Sequence, residues 1–183
     1  MARFLVSSLS IFDRLEVGIC RALNRTSRRW TVRRTFSIVS RLGDGVFWYT
    51  LTGVLAIRSG ADGLLPALHV LLTGAAGVAI YRVVKQFAVR ERPFITHSAI
   101  SCACAPLDRY SFPSGHTLHA VSFTLMLTHY APEWWPLLVA FSVLVAMSRV
   151  ILGLHYPTDV AAGALMGGAL ATLSLRLLDF SVA

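Results

Sequence analysis

Long apolar stretches, separated by short polar or proline-bearing segments, constrain this chain more than any other feature of its sequence. Inside a bilayer the backbone finds no water to bond, and a helix supplies its own hydrogen bonds. Four stretches read as spanning helices: about Gly63 to Val84, Gly115 to Tyr130, Trp134 to Ile151 and Thr158 to Leu178. A fifth, about Gly45 to Ile57, falls short of the roughly 20 residues that a hydrocarbon core requires. It either borrows from Phe36 to Leu42 or sits in thinned bilayer. The expected fold class is all-α, a polytopic transmembrane helical bundle with about five spanning helices. Trp134 and Trp135, after Pro132, suit an interfacial anchor. Gly74, Gly77, Gly163, Gly167 and Gly168 allow close helix packing.

Composition agrees. Hydrophobic residues make up 55% of the 183 residues and charged residues 14%, against about 25% charged in a soluble domain. Mean hydropathy is +0.63. A net charge of +8 would by itself suit nucleic acid, but a DNA-binding domain carries its basic face over a soluble core. Here the charge lies between apolar stretches, so the expected partners are a bilayer with anionic lipids and an anionic substrate, and not nucleic acid. With no internal repeat, residues 1–183 are expected to form one membrane-embedded domain.

Within it, residues 1–42 read as an amphipathic, basic interfacial segment and 43–183 as the bundle with the active site. Leu5, Leu9, Phe12 and Ile19 share one face of an N-terminal helix interrupted by Asp13, Arg14 and Glu16, which suits an interfacial helix and not a cleaved signal peptide. The arginines from Arg21 to Arg41 are placed to grip anionic headgroups. Cys20, Cys102 and Cys104 form no disulfide framework, and the Cys102-Ala103-Cys104 spacing does not suit a zinc site. No metal or other cofactor is expected.

If the five spans alternate, the N-terminal segment, the loop from about Lys85 to Ser114 and the turn from Ser148 to Pro157 share one side. Lys85, Arg92, His116, Arg149, His155 and Asp159 all stand there, at or near the ends of apolar stretches. Each has an ordinary explanation alone: lysine and arginine snorkel to headgroups, a histidine ends a helix, and Arg149 pairs with Asp159. Three cations, two histidines and a carboxylate on one face call for a common cause.

Phosphoryl transfer supplies one. The migrating group spreads negative charge over its equatorial oxygens and needs fixed cationic and N–H donors. Lys85, Arg92 and Arg149 are candidate donors, and Pro113-Ser114-Gly115-His116 opens a helix whose free N–H groups favour an anion. Gly115 permits close approach and Ser114 adds a hydroxyl. Asp159, four residues after His155, can hold one ring nitrogen while the other attacks phosphorus. His116 can protonate the leaving oxygen and then activate water.

Three segments carry a resemblance. Lys85, six residues, then Arg92-Pro93; Pro113-Ser114-Gly115-His116; and Ser148-Arg149, five residues, His155, three residues, Asp159 together resemble the signatures of the type 2 phosphatidic acid phosphatase superfamily, which has the acid phosphatase and haloperoxidase fold. The resemblance implies that Lys85, Arg92, Ser114, Gly115 and Arg149 bind phosphate. It further implies that His155 forms a phosphohistidine, His116 is the acid and Asp159 orients His155. His119 could extend a proton path but reads rather as a supporting or packing histidine, the sequence places no partner for His69, His97 or His129, and Asp44 either caps the first span, the preferred reading, or borders the substrate entrance.

The expected function is an integral membrane lipid phosphatase acting on polyprenyl diphosphate, phosphatidate or phosphatidylglycerophosphate, the first two ranked first. A lipid phosphotransferase would use the same histidine. A vanadate-dependent haloperoxidase fits poorly with the spans, and a non-enzymatic membrane scaffold leaves the signatures unexplained. Of 17 lysines and arginines only Arg58 and Arg176 fall away from the site, which predicts a cytoplasmic-facing site in a bacterial inner membrane.

Overall fold

The computed structural model describes the backbone of residues 2–106 and 108–178, and their side chains except those of 2–12 and 61. Among the described residues every regular element is helical. In chain order these are α1 (Ala2–Thr26), α2 (Trp30–Arg41), α3 (Phe47–Arg58), α4 (Leu64–Phe87), α5 (Pro93–Thr96), α6 (Gly115–Tyr130), α7 (Trp135–Ile151) and α8 (Pro157–Leu177). A kinked junction, Leu42–Val46, joins α2 to α3.

Three helical stretches have the length and composition to cross a membrane: Leu64–Phe87, Pro132–Ile151 and Pro157–Leu177. They match three of the apolar stretches expected from sequence. The other two differ in kind. α6 has 16 residues, about 24 Å at 1.5 Å per residue. The stretch expected at Gly45–Ile57 is the second half of a helical run from Trp30 to Arg58, kinked at Gly45, where φ is 143°.

α6 is the central helix, its Ala120, Phe123, Met126 and Leu127 buried against Trp48, Val70, Leu138 and Val145 from its neighbours. An amphipathic stripe is absent because partners surround it: α3, α4, α7 and α8 all touch it. The α6–α8 crossing is the closest in backbone terms. A Cβ on Gly163 would lie 2.4 Å from the Ser114 carbonyl oxygen, and one on Gly167 would lie 2.3 Å from that of Leu118. Gly167→Val is therefore expected to push α8 off α6, and a drop in the thermal unfolding midpoint of the detergent-solubilised protein, corresponding to about 1–3 kcal/mol, checks it. Hydroxyls tie α6 to α7 as well: Thr124 Oγ1 and Ser142 Oγ are 2.6 Å apart, and Ser142 donates to the Ala120 carbonyl at 3.0 Å.

The outward faces are apolar. Leu64, Leu68, Leu72 and Val83 on α4, Leu137, Val143 and Met147 on α7, and Leu165 and Leu173 on α8 are all exposed, as lipid-facing residues are. α1 is reversed relative to a water-soluble helix: Glu16, Cys20 and Asn24, spaced by four, are buried, while Leu15 and Ile19 are exposed. Leu5, Leu9 and Phe12, expected on the same face as Ile19, lie outside the described side chains.

Candidate active site

The site gathers at helix ends. Lys85 and Arg149 stand in the last turns of α4 and α7, where the negative end of the helix dipole favours a cation. Gly115 and His116 open α6, and Asp159 lies in the first turn of α8. Lys85, Arg92, Gly115, His116, Arg149 and His155 line one cavity of about 160 Å³. Six of the eight residues expected from sequence thus meet in one place.

Arg92 is 2% exposed and fully engaged. Its Nη1 donates to the Leu154 carbonyl at 2.8 Å, its Nε to the Asp108 carbonyl at 3.1 Å and its Nη2 to Asp108 Oδ1 at 2.8 Å. Arg149 is equally buried; Nη1 donates to Ser40 Oγ, while Nε meets no acceptor among the described residues. A buried guanidinium N–H without a partner, on a guanidinium that lines the cavity, is a donor ready for an anion.

His155 sits in the turn between α7 and α8. Gly153, at φ 77°, makes that turn, and a Cβ there would come within 2.6 Å of the Ser101 carbonyl oxygen. The Leu154 and His155 amides donate back to the Arg149 carbonyl at 3.0 and 3.1 Å. From α1, Asn24 Nδ2 donates to the carbonyls of Ile151 and Ser101, both at 3.0 Å, so the first helix braces the turn. Arg92 Nη1 lies 3.3 Å from His155 Nε2. Arginine can only donate, so Nε2 is the acceptor and the neutral ring carries its proton on Nδ1. Burial, then the positive charges of Arg149, Arg92 and Lys85 and neighbouring His116, holds the His155 pKa well below the ordinary histidine value. The lone pair of Nε2 is thus available at neutral pH.

Asp159 Oδ2 lies 3.8 Å from His155 Nδ1, an ionic contact longer than a hydrogen bond. Its direct partners are the Tyr156 amide, at 2.8 Å, and Arg90 Nη1, at 2.7 Å. The ordinary pairing considered for Arg149 and Asp159 is not formed, since each has another partner. Ser114 is the N-cap of α6: fully buried, its hydroxyl is 3.0 Å from Thr117 Oγ1, and it does not line the cavity.

Sequence reasoning missed three participants. Arg90 joins Asp159 to Glu16 of α1, with its Nη2 2.6 Å from Glu16 Oε2, and stacks over Tyr156 at 3.9 Å. Glu16 Oε1 in turn accepts from the Thr158 amide at 2.9 Å at the start of α8. Asp108, the only acid between residues 97 and 114, places Oδ1 2.7 Å from Lys85 Nζ and 2.8 Å from Arg92 Nη2. Burial works against its ionisation, but Lys85 and Arg92 outweigh it and keep the carboxyl below the usual aspartate range.

Asp44 also differs from expectation. No side-chain cap is formed at the start of α3; the residue sits at the kink between α2 and α3 and places Oδ1 2.5 Å from His116 Nε2. The His119 ring nitrogens lie 3.0 Å and 3.3 Å from the Gly115 and Gly74 carbonyl oxygens, to which a ring N–H donates, in keeping with a supporting role, and His69 bonds Tyr130 and Ser174.

The sequence profile of the PAP2 superfamily matches residues 66–182. The chain belongs to that superfamily. This PAP2 chain is 30% identical over 151 residues to an undecaprenyl-diphosphatase of Sulfolobus acidocaldarius, covering 80% of the chain and 71% of that relative. It is 33% identical over 115 residues to the undecaprenyl-diphosphatase BcrC of Bacillus subtilis, 61% of the chain and 58% of the relative. Among solved structures, it is similar to the transmembrane PAP2-type phosphatidylglycerolphosphate phosphatase of Bacillus subtilis, with a TM-score of 0.69 and 25% identity over 96% of this chain and 92% of that one. The corresponding values for Aquifex aeolicus LpxE are 0.72, 26%, 88% and 95%. The PAP2 chain is a hydrolase of phosphoric esters, and its apolar helices make it an integral membrane protein.

In this PAP2 site Asp108 already engages two of the cavity's cations, Lys85 and Arg92. Asp108→Asn removes that competing anion, and inorganic phosphate is expected to inhibit the variant about tenfold more tightly than the native enzyme, as read from its inhibition constant.

Proposed function

We propose that this PAP2 protein removes phosphate from a membrane lipid through a phosphohistidine on His155, with polyprenyl diphosphate as the preferred substrate class. The observation that carries the reading is the meeting of Lys85, Arg92, Arg149 and the unprotonated Nε2 of His155 at one cavity whose other wall is apolar. Trp48 and Tyr49 of α3 and Val78 of α4 form that wall. A diphosphate seats on the cations while the first carbons of its tail run along α3 and α4 toward lipid. The names of the two undecaprenyl-diphosphatase relatives favour the polyprenyl class over phosphatidate.

In the first step the Nε2 lone pair bonds phosphorus, the bond to the leaving oxygen breaks, and His116 gives that oxygen a proton. Water then attacks phosphorus, its proton passes to His116, and the bond electrons return to Nε2. The three cations and the N–H groups opening α6 neutralise the phosphoryl charge. Asp159 acts on His155 at 3.8 Å in the resting state, within reach once a phosphoryl group draws the ring.

The same reading has one domain, five crossings and an α1 lying in the interface with Leu15 and Ile19 toward lipid. Trp30, Arg33, Arg34 and Arg41 line a second groove, with Arg34 over the Trp30 ring at 5.1 Å, a setting suited to anionic headgroups. The charge distribution favours a cytoplasmic-facing site. A cysteine replacing Arg109 that reacts with a membrane-impermeant reagent outside intact cells would overturn that assignment.

The test of the function is phosphate release by purified protein from polyprenyl diphosphate, phosphatidate and phosphatidylglycerophosphate in excess chelator. Release is expected to be fastest from the diphosphate and unchanged by the chelator. Absence of release from all three by folded protein would contradict the reading.

A further inference from the structure

The Gly43-Asp44-Gly45 segment is built to deliver one carboxylate to the site. The Leu42–Val46 junction is a kink between two helices, with Gly45 at φ 143°, a conformation that L side chains rarely adopt. The kink re-aims the side chains after it relative to those before. Gly43 lies against Val145, where a Cβ would come within 2.8 Å, and its carbonyl accepts from the buried Trp48 Nε1 at 3.3 Å. Both flanking residues are thus tied to the surrounding helices by features that have no catalytic use. Between them Asp44 lines the cavity, with Oδ1 2.5 Å from His116 Nε2. The contact is ionic in geometry, because that nitrogen meets no acceptor at a hydrogen-bond angle.

We propose that Asp44 is a positioning residue for His116, forming with it a carboxylate–imidazole pair that sets how the proton reaches the leaving oxygen; this rests on the role for His116 given above. An imidazole has two nitrogens. With Nε2 held toward Asp44, Nδ1 is the atom left to serve the leaving group. With Asp44 facing a protonated Nε2, the acid is the doubly protonated His116 ring. As the His155 Nε2–phosphorus bond forms, the phosphorus–oxygen bond breaks and its electron pair takes the Nδ1 proton, leaving a neutral imidazole with its proton on Nε2, while Asp44 remains a carboxylate throughout. In the second step the water proton returns to Nδ1. Two of the three histidines that line the cavity, His116 and His155, thus each have an aspartate beside them. Asp44 makes no hydrogen bond to Lys85, Arg92 or Arg149 among the described residues, although its charge acts on Arg149 across the cavity.

Leaving-group dependence tests this. A 4-nitrophenyl leaving group departs as a stable anion and needs little protonation, whereas a long-chain alkyl phosphate releases a basic alkoxide that needs the acid. Formation of the phosphoenzyme is measured in single turnover for both substrates with native protein, Asp44→Asn and His116→Ala. The Asp44→Asn variant is expected to slow the alkyl reaction about tenfold more than the aryl reaction, and His116→Ala to show a larger ratio of about 100-fold. The thermal midpoint of Asp44→Asn is expected to stay within a few degrees of native, and inorganic phosphate is expected to inhibit the variant at least as tightly as native. Equal losses with both substrates, or weakened phosphate inhibition, in Asp44→Asn alone would overturn the role of Asp44 while leaving that of His116 standing. A His116→Ala variant with no leaving-group preference would remove the His116 reading and the pair together.

Discussion

His155→Ala is expected to lower kcat for polyprenyl diphosphate by about 10⁴-fold or more, the scale on which loss of a catalytic nucleophile registers. The variant loses the ring nitrogen that stands 3.3 Å from Arg92 Nη1 beside the cationic cavity, and with it the attacking lone pair. The cradle itself is expected to survive. Lys85, Arg92 and Arg149 are held by Asp108, by the Leu154 backbone and by Ser40, none of which depends on the imidazole. Inorganic phosphate is therefore expected to bind His155→Ala with an inhibition or dissociation constant close to native. Measured by phosphate release and by phosphate binding to the same preparation, that combination separates loss of the nucleophile from loss of the fold.

Arg92→Lys is expected to cost about 10²- to 10³-fold in kcat, comparable with removal of a preorganised donor from an oxyanion site. Charge is conserved in this change, yet geometry is not. The guanidinium uses three nitrogens at once: Nη1 to Leu154, Nε to the Asp108 backbone and Nη2 to the Asp108 carboxylate. An ammonium is a point charge on a flexible stem and cannot bridge these groups in fixed directions. It also removes the donor 3.3 Å from His155 Nε2, which keeps the proton of the imidazole on the far side. Steady-state kinetics with Arg92→Lys and Arg92→Ala check this. Near-native activity of the lysine variant would mean that charge alone suffices.

How much of this was legible in the sequence follows from where each partner lies. Lys85, Arg92, His116, Arg149 and His155 could be read because their spacing is set by helix ends, and the apolar stretches mark those ends. α4, α7 and α8 were legible for the same reason. Asp108, Arg90, Glu16 and Asn24 were not, because their partners are remote: Glu16 and Thr158 are separated by 142 positions, and Asn24 and Ile151 by 127. Periodicity in α1 tells which face is apolar but not what the polar face grips. Hydropathy also cannot distinguish a helix that starts after Gly-Asp-Gly from one joined through it to the preceding helix by a kink at Gly45, and so Asp44 read as a cap. Ser114 belongs to a phosphate-binding signature, but in this structure its hydroxyl caps α6. The α6 amides remain the donors at that point of the cavity.

The central claim is that phosphate passes through His155. The most direct measurement is rapid quenching of the native enzyme with substrate labelled in the terminal phosphate, followed by location of the label on the chain. The predicted result is a stoichiometric, acid-labile and alkali-stable phosphoryl group on the peptide containing His155, absent from His155→Ala. Full turnover with no label on the protein, or label on any other residue, would contradict it.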